Sequence, residues 1–490
     1  MTRLITLLFC CFSFWWVSCQ NASTSSSGSS LETPTGVRSI EPATPDARIE
    51  ITVEGLEPGG TAKMIGIAGD QNYIADTCIV DANSTMVFDK DEPFPAGFYY
   101  VILPDYSNLQ MIVDANQRFQ LKTVKNNLVP AMQVINSKEN ELYYSNLREQ
   151  GPIDNAIKST TQEQRSKPKD GPEYNALQVK IDSLVSVRKA LLQSYADNYA
   201  DALFTKFKLS GQNPDLQYPT KEDGSIDIPR QTYLYKSQLW DNVDFSDPRL
   251  LRTPIIINKL NRYIKELTPQ RPDSIIAATD ILLAKVANDK EYFKFFANFI
   301  PLFYRPGEST IMDAEAIQVH MVKNYFTPDK AFWSDSSELN ALARQASEME
   351  ASLIGKKGPD VQAKDLNGQM KSIYEMKAPY IIVYMWNPEC SHCKEETPQL
   401  VQYIRNNKEV EVFGIAVNTT ESEFKRYAKE MGMTWTNVFD PTNKAIYAKY
   451  YVDNTPEVYV LNPDRILIGK NLKVNQIQTI IDRDKIRNQD

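Results

Sequence analysis

Three changes of sequence pattern predict a multidomain chain: an N-terminal antiparallel β-sandwich, a central all-α module and a C-terminal α/β domain. Residues 47–135 alternate apolar and polar side chains in short runs split by turn residues. Residues 136–350 place apolar side chains at three- and four-residue spacing, and residues 351–490 interleave apolar strands with amphipathic helices. A chain of 490 residues exceeds one ordinary core and fits about three domains.

The β part rests on period-two runs. "RIEITVEGL" alternates, "EPGG" turns, and "GFYYVILP" and "RFQLKTV" alternate again. Such strands bury one face and wet the other, which suits two antiparallel layers. Cys78 falls in one of these strands and reads as a small buried hydrophobe. The central part rests on helical spacing in "ALQVKIDSLVSVRKALLQSYADNYADALFTKF", "TPIIINKLNRYIKEL" and "PDSIIAATDILLAKVANDKEYFKFFANFI", with proline and aspartate caps between helices. His320, on one such helix, reads as a packed or surface residue and not as a ligand.

The first 46 residues lie ahead of the fold. Arg3 precedes an apolar run from Leu4 to Val17, too short to span a membrane comfortably and read as a signal-peptide core over residues 1–18. The run ends in "WVSC", which resembles a bacterial lipobox and implies cleavage before Cys19 and acylation of that residue. The following "QNASTSSSGSS" cannot bury surface, so residues 19–46 read as a flexible tether. Two acyl chains anchor stably, at about 0.8 kcal/mol per buried CH₂. The expected location is the cell envelope, lipid-anchored and facing the periplasm. Export permits disulfides. With Cys10 and Cys11 removed and Cys19 acylated, Cys78, Cys390 and Cys393 remain. A net charge of −8 argues against a nucleic-acid partner.

Residues 351–490 carry the chemistry. "YIIVYMW" (Tyr380 to Trp386) reads as a buried central strand, and a helix follows from Ser391 to about Asn406. Between them stands "NPECSHC". Cysteines at the carboxyl end of a central strand, opening a helix, sit where α/β sheets build sites. Free amides and the helix dipole there favour a thiolate at Cys390, and two intervening residues let Cys393 reach it within a turn. The alternatives to a redox pair at Cys390 and Cys393 are half of a metal site and a structural staple. A metal wants about four ligands, and His392, lying between the cysteines, is poorly placed to complete them. A staple closing two residues gains little loop entropy.

With this placement the domain resembles the thioredoxin superfamily, in particular its membrane-anchored TlpA-like and ResA-like branch, over about the last 135 residues. Trp386 holds the place of the tryptophan beside the family's active site, and Pro398 matches the proline that kinks the active-site helix. "NTPEVYVLN" matches the loop whose proline is cis, which makes Pro456 the candidate. "GPDVQAKDLNGQ" resembles the branch's opening strand and turn. The β part resembles a small sandwich family found upstream of such domains in Bacteroidetes lipoproteins. "LWDNVDFSDPRLLRTPIIINKL" resembles an uncharacterised helical module that accompanies them.

The resemblance implies a thiol–disulfide oxidoreductase with a Cys390–Cys393 redox disulfide and no cofactor or metal. Cys390 attacks a partner disulfide and Cys393 resolves the mixed disulfide. Thr455 and Pro456 receive the substrate chain, strand to strand. The expected partners are thiols or disulfides of exported proteins and a membrane or periplasmic redox protein. The chain departs from the thioredoxin pattern in two places and agrees with the ResA-like branch in a third. Tyr384 stands where thioredoxin keeps a buried Asp, Glu396 matches a glutamate of the ResA-like branch that could take over proton transfer to Cys393, and Glu389 replaces a tryptophan. His392, as an imidazolium, would favour the Cys390 thiolate. Lowering a thiol from about 8.5 to 6.5 raises the thiolate fraction roughly 25-fold at pH 7, and lost nucleophilicity returns about 8-fold of that. The larger consequence is a more oxidising pair. The other class of function consistent with the sequence is a non-catalytic lipoprotein that binds a ligand through its helical module.

Overall fold

The computed structural model describes residues 38–439, 441–442, 449–452 and 454–487. The signal segment 1–18, Cys19 and most of the tether lie outside these residues. Among the described residues no helix is long and apolar enough to cross a membrane.

The β part contains β1 (Ala47–Glu54), β2 (Thr61–Ala68), β3 (Gln71–Ile79), β4 (Thr85–Lys90), β5 (Gly97–Ile102), β6 (Asn108–Val113), β7 (Arg118–Val124) and β8 (Gln133–Ile135). They form two four-stranded sheets, β4-β1-β7-β8 and β3-β2-β5-β6. Alternation works as expected along β1, where Ala47, Ile49, Ile51 and Val53 are fully buried. One expectation is corrected. β1 and β7 run parallel, with Ile49 opposite Phe119 and Ile51 opposite Leu121, so the strands are not all antiparallel. Burial alternates identically in either direction, so the pattern of one strand does not report its neighbour's sense.

The helical part contains α1 (Lys138–Arg165), α2 (Pro172–Asn198), α3 (Leu203–Ser210), α4 (Ile228–Ser237), α5 (Pro254–Asn261), α6 (Pro272–Lys285), α7 (Lys290–Phe303), α8 (Ala314–Tyr325) and α9 (Ser336–Glu350). Pro172, Pro254 and Pro272 open their helices, where a missing N–H costs nothing. Asp335 and Glu338 close a reciprocal capping box on α9. Helices and sheets share one continuous apolar core. Polar groups register the two: Asn140 of α1 exchanges hydrogen bonds with the Ile112 backbone of β6 at 2.9 and 2.7 Å. The Glu139 carboxylate accepts from the Leu203 and Phe204 amides at 2.8 Å, at the head of α3. Cys78 is half-buried, and burial pushes its thiol up to about 11. His320 is hydrogen-bonded to Asp280 at 2.6 Å.

The C-terminal part contains β9 (Gln362–Asp365), β10 (Met370–Ser372), β11 (Tyr380–Trp386), α10 (Ser391–Asn406), β12 (Val410–Ala416), α11 (Glu421–Glu430), β13 (Thr436–Phe439), β14 (Glu457–Leu461), β15 (Leu467–Gly469) and α12 (Ile477–Arg487). The sheet is mixed, in the order β10-β9-β13-β12-β11-β14-β15, with β12 parallel and β14 antiparallel to β11. This is a thioredoxin-like fold. All seven residues of β11 are buried because both faces are covered. Tyr380, Ile382, Tyr384 and Trp386 enter one core, while Ile381, Val383 and Met385 enter the other.

Candidate active site

β11 delivers the chain to the site and α10 receives it. Between them Asn387 makes a tight turn, its Oδ1 accepting from the Glu389 amide at 2.8 Å and its carbonyl from the Cys390 amide at 3.2 Å. That turn leaves Cys390 as the N-cap of α10, with φ −70° and ψ 123°. Its sulfur takes the place of the usual capping oxygen and accepts from the Cys393 amide at 3.3 Å. The sulfur also donates to the Thr455 carbonyl at 2.9 Å. The Thr455–Pro456 peptide bond is cis.

The two sulfurs have unlike surroundings. Cys390 is partly exposed and Cys393 is buried; both are free thiols. Burial alone would raise Cys390. Hydrogen bonds from the Thr455 side chain, from Cys393 and from the His392 amide outweigh it and hold the thiol below its ordinary value. Burial pushes Cys393 up to about 12, and the Asn387 amide at 3.5 Å offsets only part of that. Cys390 is therefore the more readily ionised of the two thiols, and burial keeps the proton on Cys393.

The other expected residues spread around this pair. Trp386 is fully buried and stacks on Tyr427, with ring centroids 4.9 Å apart. The His392 ring is 77% exposed, with Nδ1 3.6 Å from Glu395. Glu389 is exposed. Glu396 Oε2 accepts from the Val474 amide at 3.0 Å, which ties α10 to the turn ahead of α12. Pro398 lies inside α10. Tyr384, in place of an acid, is buried with its hydroxyl 2.7 Å from Thr397 Oγ1, and the threonine hydroxyl donates to the Cys393 carbonyl at 2.6 Å. Cys19 lies outside the described residues.

Several contributors escaped sequence reading. Asn387 orders the turn and aims an amide at Cys393; an Asn–Pro step after a buried strand is the signal that could have found it. Thr397 bridges Tyr384 and the helix backbone. Glu457, next to Pro456, is 6% exposed. A carboxylate beginning an otherwise apolar strand is a local anomaly visible in "PEVYVL".

Residues 354–477 match the AhpC/TSA family, and residues 47–143 match a domain of unknown function, DUF4369. The thiol-disulfide oxidoreductase ResA of Bacillus subtilis is 27% identical over 122 residues, which is 24% of this chain and 65% of that protein. The thioredoxin-like protein YneN of the same organism is 25% identical over 118 residues, 23% of this chain and 68% of that one. This chain thus spans about two thirds of the length of these curated relatives. Among solved structures, a thioredoxin-like protein from Bacteroides caccae is similar at 16% identity and a TM-score of 0.45, covering 55% of this chain and 99% of that one. The thioredoxin domain of a thiol-disulfide oxidoreductase from Bacteroides vulgatus is similar at 23% identity and a TM-score of 0.25, covering 26% and 96%.

Proposed function

We propose, from a C-terminal domain that is thioredoxin-like and related to the ResA oxidoreductases, that this protein exchanges disulfides with exported proteins through Cys390 and Cys393. One observation carries the reading. A partly exposed thiol, held below its ordinary value at a helix N-terminus, faces a second thiol that burial keeps protonated.

The cycle follows from that asymmetry. The Cys390 thiolate attacks one sulfur of a substrate disulfide, forms a mixed disulfide and expels the other sulfur as a thiolate. Cys393 loses its proton and attacks the Cys390 sulfur, which closes the Cys390–Cys393 disulfide and releases the second substrate thiolate. Two electrons pass from the dithiol to the substrate, and the reverse sequence oxidises a substrate dithiol. A redox protein of the membrane or periplasm restores the starting state. Thr455 and Pro456 line the cleft for the substrate chain. Glu396 carries the Cys393 proton, and Trp386 supports the strand end. A lipid on Cys19 holds the protein to the cell envelope on its periplasmic side.

The division into 47–135, 136–350 and 351–490 belongs to the same reading. So does the assignment of the two N-terminal sheets to the layers of a sandwich; Ile51 of β1 and Met64 of β2 contribute to one core, which supports it.

The test is insulin reduction by the purified protein with a thiol reductant. Cys390→Ser should remove turnover, and Cys393→Ser should accumulate a mixed disulfide that mass spectrometry reads on Cys390. Preferential labelling of Cys393 by iodoacetamide at mildly acidic pH would reverse the roles. Inactivity of wild-type protein with both thiols confirmed free would favour the non-catalytic binding protein. Cys19→Ser should move the protein from the membrane fraction to the soluble fraction.

A further inference from the structure

The loop that touches Cys390 is held from both sides by the helical part. Ahead of it, the Tyr450 carbonyl accepts from Ser352 Oγ at 3.0 Å and from the Tyr459 hydroxyl at 3.1 Å. The Tyr451 hydroxyl accepts from Gln345 Nε2 of α9 at 2.5 Å, and its ring packs on Val319, Val322, Ala346 and Met349. Behind the loop, Glu457 opens β14 and hydrogen-bonds the Tyr459 hydroxyl. Lys470, directly after β15, is 0% exposed and lies 5.4 Å over the Tyr459 ring. Its Nζ stands 3.1 Å from Glu315 and 3.6 Å from Asp313, the two acids at the head of α8. Asp313 also accepts from the Ile354 amide at 2.9 Å, and Asn471 Nδ2 donates to Glu315 at 3.3 Å.

Burying a lysine with two carboxylates is a poor source of stability. Apolar residues of the same volume usually serve as well or better, and what an ion cluster adds in some proteins is a fixed register. The element registered here is the strand that begins one residue after Pro456. The residue at stake is Thr455, whose carbonyl lies 2.9 Å from the Cys390 sulfur and which is among the groups that hold that thiol below its ordinary value.

We propose that the seam between the helical part and the C-terminal part is a positioning device for the disulfide exchange. The Asp313–Glu315–Lys470 cluster behind the loop, and Gln345 with Ser352 ahead of it, set Thr455 against the Cys390 sulfur. None of these five residues touches the reacting atoms, so each is a positioning residue. The proposal rests on the assignment of Cys390 as the nucleophile.

The test measures the iodoacetamide alkylation rate of Cys390 by peptide mass spectrometry from pH 5 to 10 in the full-length protein. Loosening the loop moves Thr455 away from the sulfur and removes its part in holding the thiol below its ordinary value. Glu315→Gln, Lys470→Met and Gln345→Ala should each move the midpoint of the profile upward, by about one pH unit for the two cluster variants, a tenfold loss of thiolate at pH 6. Lys470→Arg, which keeps the charge, should shift it less than Lys470→Met. A purely structural role would lower the melting temperature and leave the midpoint in place; variants that melt lower with the wild-type midpoint overturn the proposal. Gln345→Ala removes one hydrogen bond at the module's edge, so it decides the matter even if Lys470→Met does not fold. A wild-type midpoint at or above the ordinary thiol value of about 8.5, with no insulin reduction, would instead overturn the nucleophile assignment.

Discussion

The Cys390 sulfur is the cap of its helix. Because it accepts the Cys393 amide, the group that ends the helix also bears the charge that the helix end favours. The backbone does this work, which bears on His392. Its amide reaches the sulfur, while its ring points to solvent beside Glu395. Charges in that position are screened and couple weakly. His392→Ala should therefore change the Cys390 alkylation rate at pH 7 by less than about twofold; a tenfold fall would restore the imidazolium to the central role its sequence position suggests. Glu396 calls for a different pair of variants. Its carboxylate accepts from the Val474 amide, a bond that glutamine's carbonyl can also make. Glu396→Gln should keep the melting temperature but slow the step in which Cys393 resolves the mixed disulfide, read by rapid acid quench. Glu396→Ala should also lose about 1 kcal/mol of stability, since it leaves the amide without that partner.

At the scale of elements, what sequence revealed was what is local. β11 was legible because seven consecutive apolar residues can be buried only on two faces, and α10 because its start follows a turn and its apolar spacing is helical. Pairings between distant segments were not legible. The parallel match of β1 with β7, the Glu396–Val474 bond and the Lys470–Glu315 pair each join residues whose own neighbourhoods carry no mark of the partner. The same holds for Gly414 in the middle of β12. It reads as a weak point in a strand, yet the structure shows why it is there. A Cβ at this position would stand 2.3 Å from Asn437 Oδ1 and 2.9 Å from Trp435 Nε1. Asn437 is buried and its amide is bonded to the Trp435 carbonyl at 3.1 Å, so it is not free to swing aside. Gly414→Ala should cost about 1–3 kcal/mol through overpacking, measured by urea denaturation. An unchanged midpoint would mean that β12 and β13 separate more easily than this contact implies.

Across the whole molecule, two buried acids set how stability responds to pH. Burial pushes Glu139, under the β part, up to about 7, with the Asp114 charge adding to it and the Phe204 and Leu203 amides opposing it. Burial pushes Glu457, beside the redox loop, up to about 8 against the pull of Tyr459. Both exceed the unfolded value of about 4.3, so the folded chain binds more protons than the unfolded chain between those limits. Their contribution is fully present below about pH 4.3 and is lost as pH rises through about 7 and then about 8. A tenfold difference in proton affinity between folded and unfolded chain corresponds to about 1.4 kcal/mol, so the combined loss is on the order of several kcal/mol. Asp247 works on the acid side. Burial raises it, but Arg249 and Lys206 outweigh that and hold it below its ordinary value, so its stabilisation fades as pH falls through the ordinary carboxylate range. Lys259, which burial lowers to about 8, regains stability only above that pH. The melting temperature should therefore peak near pH 4 to 5 and fall from there toward pH 8. Glu457→Gln should flatten the upper part of that decline and Glu139→Gln the lower part. Calorimetry from pH 4 to 9 on the three proteins checks this, and a wild-type melting temperature that is level from pH 5 to 8 would show that neither carboxyl keeps its proton in the folded chain.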